Sequence, residues 1–261
     1  MDQFFKNSLP PMVQVSRGAM FNATYVHKVG AGVVGTDYVP VTDVLAYMTP
    51  QAGSATALRI KAGGNAADTA DGAGARSVRL TGLSATGLVV SETIATAGAS
   101  ASAATTQTFM RLFDAEVMTS GTYGTQSAGS HAGDITIENA AGGTDWAKIP
   151  VNSFPTSRAS IGSYTIPDQY TGYITDLSIE VEGTKSVDVI LLARSGILQT
   201  AAPYSPIYRL YEWIGVTEAI HQEFSNPLRV EELTDIGIVA KVSNGTGAVT
   251  TTMEILLLRN E

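Results

Sequence analysis

From the first third of the chain to its last residue, short runs alternate apolar and polar residues and glycine turns separate them. No stretch longer than about twelve residues reads as helix, so the pattern commits the chain to β structure. An early instance is Gly72–Gly98, GAGARSVRLTGLSATGLVVSETIATAG. Val78 and Leu80 alternate with Arg79 and Thr81, as in a strand with one wet face. Gly82 and Gly87 bracket a turn of small residues, and glycine suits turns that need positive φ. Leu88, Val89, Val90, Thr93 and Ile94 then carry the chain back, rich in β-branched residues. The spacing predicts a β-hairpin.

After Ile161 the signal strengthens. SYTIP ends at Pro167, and Tyr173–Val181 places Tyr173, Thr175, Leu177, Ile179 and Val181 on one face against Ile174, Asp176, Ser178 and Glu180. Ser186–Arg194, Tyr208–Val216, Ala219–Phe224, Leu228–Leu233, Ile236–Val242 and Thr250–Arg259 follow. That makes about eight short strands in about a hundred residues, the complement of a jelly roll. Asn244-Gly245 is a hairpin signal and predicts that the last strand pairs with Ile236–Val242. Val189–Leu192 and Ile255–Leu258 are continuously apolar, so both strands are expected to be covered on both faces.

The first half is more broken. Met1–Gly18 reads as an arm, because Pro10-Pro11 favours an extended path. Phe4 and Phe5 in it must pack on their own domain or dock on a neighbour. Phe21–Leu45 reads as two strands around a glycine-rich loop at Gly30–Gly35, and Thr56–Ile60 as a short strand. Ala97–Thr108 is an exposed connection or a flat strand. Phe109–Val117 puts Phe109, Arg111, Phe113 and Ala115 on one strand face, although helical spacing also fits Leu112. Ile135–Ile137 and Trp146–Val151 are further strands, and VNSFPTSRAS at Val151–Ser160 interrupts the pattern. The expected organisation is an all-β chain: an N-terminal docking arm over 1–20, a β-sandwich domain over 21–152, and a jelly-roll-like β-sandwich over 153–261.

Composition narrows the function classes. The chain has no cysteine, which excludes disulfides, thiolate metal sites and a cysteine nucleophile. The net charge is −8, with nine basic against eleven acidic residues through Pro150 and seven against thirteen after it. Neither half offers a positive face for phosphates, so neither nucleic acid nor an anionic membrane is an expected partner. No apolar run approaches the roughly 20 residues of a membrane-spanning helix. MDQFFKNSLPPM lacks the apolar region of a secretory signal, so export by that route is not expected.

Residues that carry chemistry are scattered. His27, His131 and His221 lie far apart without metal-ligand spacing, and read as surface or loop residues. Asp68 and Asp71, three apart in a loop of small residues, suit turn capping better than calcium, since a full ligand set is missing. Glu180 and Glu182 could match a glycosidase pair, but alternation puts them on the solvent side; Glu231, Glu232 and Asp235 receive the same reading. GAGVVG at Gly30–Gly35 lacks the lysine of a phosphate loop. No catalytic, cofactor-binding or metal-binding residue is assigned, and no cofactor is expected. One aromatic cluster stands out in PYSPIYRLYEWIG, with Tyr204, Tyr208, Tyr211 and Trp213. Tyr211 and Trp213 fall on one strand face with Tyr208 opposite; they can be core, a subunit interface or a sugar-stacking platform. Phe4, Phe5, Tyr208, Tyr211 and Trp213 are thus the candidate interface residues.

The series GAGARSVRLTGLSATGLVVSETI, FMRLFDAEVMTSG, DITIEN, WAKIPV, SYTIPDQYTGYITDLSIEV and VDVILLARSG resembles virion structural proteins of tailed bacteriophages, especially marine phages with small genomes. The resemblance covers roughly Gly72–Gly196. It implies a non-enzymatic component of a particle made in the host cytoplasm. Capsid decoration or cement is the expected role, with a tail, adaptor or fibre component, or a glycan-binding adhesin using Tyr211 and Trp213, as alternatives. An enzyme acting on glycans would need buried facing carboxylates. The implied partners are copies of the chain itself, a trimer among the options, and other virion proteins such as the major capsid protein.

Overall fold

The computed structural model describes residues 11–20, 22–42, 55–121, 129–151, 156–183 and 185–260. The chain begins with α1 (Pro11–Ser16), β1 (Ala23–Val34) and β2 (Val39–Pro40). Next come β3 (Leu58–Ile60), β4 (Ala75–Leu83), β5 (Val89–Ala95), β6 (Arg111–Ser120), β7 (Ile135–Asn139) and β8 (Asp145–Ile149). It finishes with β9 (Tyr164–Thr165), β10 (Tyr170–Val181), β11 (Val187–Arg194), β12 (Tyr208–Val216), β13 (Ile220–Val230), β14 (Asp235–Val242) and β15 (Gly247–Arg259).

Eight strands form a sandwich of two antiparallel sheets, one ordered β1-β15-β10-β13 and the other β12-β11-β14-β2, with β9 added on β14. Numbered along the chain, β1, β2 and β10 to β15 lie in the orders 1-8-3-6 and 5-4-7-2. This is the jelly-roll arrangement of two Greek keys. The jelly roll expected over 153–261 is therefore present, but its first two strands come from residues 23–40. The sheets do not divide the chain near residue 152, because β1 pairs with β15 along its whole length and β2 pairs with β14.

The described residues between positions 43 and 160 form an insertion between the second and third strands of the jelly roll. Its described strands make two three-stranded sheets, β3-β7-β8 and β5-β4-β6, over a shared core that includes Leu58, Leu80, Phe109 and Ile137. It leaves and rejoins through one neck, where Thr42 bridges Ile161 and the Thr42 hydroxyl donates to the Ser160 carbonyl at 2.9 Å. Adjacent ends are what let a unit be inserted without disturbing its host. The glycine-rich segment expected as a loop is instead the continuous end of β1. Glycine is needed there because a Cβ at Gly30 would stand 2.4 Å from the Val41 carbonyl oxygen and 2.7 Å from the Gly162 Cα.

Several other local expectations change for identifiable reasons. Pro11 opens a short helix where an extended path was expected; proline fits the first helical position, whose N–H has no partner in any case. The segments 219–224 and 228–233 merge into β13, which carries Pro227 and tolerates it because it is an edge strand. The register of β10 jumps between Ile174 and Asp176 against both neighbours, so Thr175 is a β-bulge. The bulge turns Ile174 to the same buried side as Leu177 and Ile179. Asn244-Gly245 does not close a hairpin between β14 and β15. It lies on a crossing between sheets, where the four residues 243–246 are long enough to span the ~10 Å that separates packed sheets. β15 sits inside its sheet between β1 and β10, with Ile255 and Leu257 buried and Leu256 half-buried on the outer face.

The expected hairpin over Gly72–Gly98 forms as β4 and β5 in register from Ser77↔Ala95 to Leu83↔Val89. Its tip turns at Gly87, with φ of 82°, and the Gly87 carbonyl accepts from the Asp168 N–H at 2.9 Å. Phe109–Val117 resolves as strand, within β6. Ala97–Thr108 is a connection between strands, held to β3 where the Ile60 and Leu58 N–H groups donate to the Ser102 and Thr105 hydroxyls.

The insertion is fused to its host. Leu83, Met110 and Phe113 join the jelly-roll core, and the Phe113 ring lies 4.4 Å from that of Tyr164. Arg111, fully buried, donates from Nε and Nη2 to the two carboxylate oxygens of Asp235 at 3.0 and 2.8 Å. The Thr165 hydroxyl adds a bond to the same carboxylate at 2.6 Å. Lys28 of β1, also buried, donates to the Phe113 carbonyl. Burial pulls its ammonium down to about 8, opposed by nearby Asp114 and reinforced by Arg158.

Candidate functional site

Tyr208, Tyr211 and Trp213 of the aromatic cluster lie on β12, at one edge of its sheet, and Tyr204 lies in the loop before it. Cross-strand partners share a face, and β12 meets β11 with Trp213 opposite Val189, Tyr211 opposite Leu191, and Tyr208 opposite Ala193. The register slips between Leu191 and Leu192, which makes Leu210 an extra residue. That slip corrects the expected alternation: Tyr208 stands on the same side as Tyr211 and Trp213, not opposite. Trp213 is buried in the core, while Tyr208 and Tyr211 are 43% and 40% exposed.

The three rings form a graded row from the core to the open edge of the sandwich. The Tyr211 centroid is 4.6 Å from Trp213 and 5.6 Å from Phe224 of β13 in the facing sheet, the latter edge to face. Tyr211 and Phe224 thereby close the gap between the sheets, and Tyr208 extends beyond them. Two residues that the alternation did not single out add exposed apolar area at this edge: Ile207, just before β12, is 59% exposed, and Ile214, on the face of the strand opposite Trp213, is 75% exposed. Their signal was weak, because a lone isoleucine in a strand reads as core until the strand is known to be an edge. The Arg209–Glu212 ion pair lies on the same strand. A second register slip, between Val187 and Val189, accompanies a bond from the Gly215 N–H to Asp188 at 2.9 Å. Bulges of this kind discourage further strand pairing, so β12 offers side chains to a partner more readily than backbone. Phe4 and Phe5 lie outside the described residues.

The remaining candidates take structural places. Asp68 is buried, and its carboxylate accepts the N–H groups of Ala75, Ala132 and Gly133 at 2.7, 2.9 and 2.9 Å. It staples three segments together. Among the described residues no three histidine or acidic side chains are grouped as metal ligands. Asp235, expected in solvent, is the buried partner of Arg111. Sequence did hold the signal for that pair: an arginine on a strand face otherwise made by Phe109, Phe113 and Ala115 needs a counter-charge. His131 is buried rather than superficial, with Nδ1 2.8 Å from the Ser130 hydroxyl. Glu180 and Glu182 are exposed.

One open cavity of about 550 Å³ lies on the outer face of the β1-β15-β10-β13 sheet. Asp176, Glu223 and Glu254 line it beside Tyr25, Phe224 and Pro227. His221 pairs with Asp176 at 3.1 Å, and His27 pairs with Glu254. Burial, then the Glu254 charge, raises the Tyr25 phenol. Asp176 and Glu254 thus each face a histidine across the open cleft.

No family model matches this chain, and no curated protein matches it. Among solved structures it is similar to the infectious bursal disease virus VP2 subviral particle, at 8% identity and a TM-score of 0.21. It is also similar to infectious bursal disease virus of the Gx strain, at 8% identity and a TM-score of 0.22. Each alignment covers 97% of this chain and 83% of the other. Scores at this level do not establish a shared fold, and the jelly-roll assignment rests on the strand orders alone. No helix among the described residues is long and apolar enough to cross a membrane.

Proposed function

We propose that this chain is a non-enzymatic structural subunit of a virus particle of the tailed-phage type, and specifically a capsid decoration or cement protein. The observation that carries the reading is a jelly roll with one apolar edge left open. Jelly rolls serve as capsid domains, lectins and cupins, so the architecture alone does not select among them. The exposed edge is what favours a subunit role. Along this edge Tyr208 and Tyr211 are exposed on one face of β12 and Ile214 on the other, with Ile207 exposed just before the strand; an apolar, ring-rich edge of this kind has the composition of a protein interface. The partners proposed are copies of the chain and neighbouring shell proteins, and the location is the virion.

A map of the intact particle encoding this chain tests the reading. Density for the jelly roll on the shell, with the β12 edge against a neighbour, supports it. Density in the tail moves the chain to an adaptor or fibre role, and absence from the particle refutes a virion role. Replacing Tyr208 and Ile214 by serine gives a second test: the variant is expected to fold normally, within about 0.5 kcal/mol per exposed site, yet to fail to incorporate. A glycan-binding adhesin is the second reading, favoured by the exposed faces of Tyr208 and Tyr211. Saturable binding on a glycan array that is lost in Tyr211→Ser supports that role instead.

A further inference from the structure

Arg194 ends β11 with its side chain buried, 3% exposed. Its Nε donates to the Ser205 carbonyl at 3.0 Å, and its guanidinium carbon lies 5.5 Å from the Tyr204 ring centroid. Among the described residues, nothing accepts a hydrogen bond from Nη1 or Nη2, although both are shut away from solvent. The cross-strand neighbour of Arg194 is Asp235, the obvious counter-ion. However, Arg111 occupies both oxygens of Asp235, and Thr165 takes a further lone pair. The carboxylate beside Arg194 in the ladder is thus already engaged, and Arg194 has an open fork among the described residues.

A buried guanidinium that lacks a counter-charge is costly. Two free terminal nitrogens in one plane are the geometry that binds an oxyanion through two parallel bonds. Tyr204 is 36% exposed, and Ala201, Ala202 and Pro203 beside it are exposed as well. We propose that Arg194 is the base of an oxyanion-binding site beneath the 195–207 loop, which takes a phosphate or a carboxylate on Nη1 and Nη2 with Tyr204 packed over the guanidinium. The site lies apart from the aromatic strip on β12 and does not depend on the role proposed for that strip.

Thermal unfolding of the full chain in sodium phosphate, sodium acetate and sodium chloride at matched ionic strength tests the proposal. An occupied site is expected to raise the midpoint saturably, by about 5 to 10 °C at a hundredfold excess of anion over Kd. Phosphate also stabilises proteins without binding a defined site, so Arg194→Gln is the control, and it is expected to lose the saturable increment. Arg194→Lys keeps the charge without the fork and is expected to retain only part of it. A rise in both phosphate and acetate identifies a site that a carboxylate can fill, including one carried by a neighbouring subunit. A rise in phosphate alone identifies a phosphate site. Should Arg194→Gln fail to fold, phosphorus NMR line broadening of phosphate by the wild-type chain decides in its place. Equal increments in wild type and Arg194→Gln, or no broadening with the wild type, overturn the proposal.

Discussion

Replacing Asp235 by asparagine removes one charge from the junction between the insertion and the jelly roll while keeping the side chain's shape. Arg111 is then left fully buried with a neutral amide in place of the carboxylate that accepts from Nε and Nη2. Breaking a buried ion pair from one side costs about 3 to 5 kcal/mol, because the remaining charge is uncompensated. Whole-domain stability is only about 5 to 15 kcal/mol, and about 1 kcal/mol moves the midpoint by roughly 2 to 4 °C in a chain of this size. Asp235→Asn should therefore unfold about 6 to 20 °C below wild type in differential scanning calorimetry. The double variant Arg111→Met with Asp235→Leu supplies the sign test. An apolar pair of similar volume is often as stable as the ion pair it replaces, so the double variant should recover most of the loss. An Asp235→Asn midpoint within about 2 °C of wild type would refute the argument that this pair clamps the two units. A double variant less stable than Asp235→Asn would refute it equally.

The two faces of β15 can also be told apart by measurement. Ile255→Ala, on the buried face, should cost about 2 to 5 kcal/mol in urea unfolding, and Leu256→Ala on the half-buried outer face clearly less; equal losses would mean that the outer face is covered as fully as the core. The Lys28 ammonium titrates near 8 in the fold against 10.5 when unfolded, chiefly through burial. Between those values the unfolded chain binds the extra proton, so stability rises with pH across the window, and the penalty relieved is about 3 kcal/mol. Wild-type stability minus that of Lys28→Met should therefore increase from pH 8 to 10.5; parallel pH profiles would show that the lysine is solvated in the folded state.

Much of this architecture is written locally. Alternation places a strand wherever one face meets a core, and it marked the hairpin at Gly72–Gly98, the strands after Ile161 and the turn residues between them. The jelly-roll class follows from such local signals, because the period of two is a property of the backbone, but the strand count over 153–261 did not: six of the eight sandwich strands lie there and residues 23–40 supply the other two. The absence of cysteine and the acidic balance are likewise facts of composition. Local signals fail where one residue changes the phase of everything after it. Thr175 and Leu210 are bulges, and each moves an aromatic or aliphatic side chain to the other face without any mark in the alternation. They also fail where distance along the chain is large. That β1 lies beside β15, that Gly30 meets Gly162, and that Arg111 finds Asp235 are matters of packing between segments over a hundred residues apart. An edge strand and a central strand can share one pattern, since only the neighbours decide whether Tyr208 and Ile214 face a partner or water. The open fork of Arg194 belongs to the same class: only the packed structure shows that its terminal nitrogens are buried without an acceptor among the described residues.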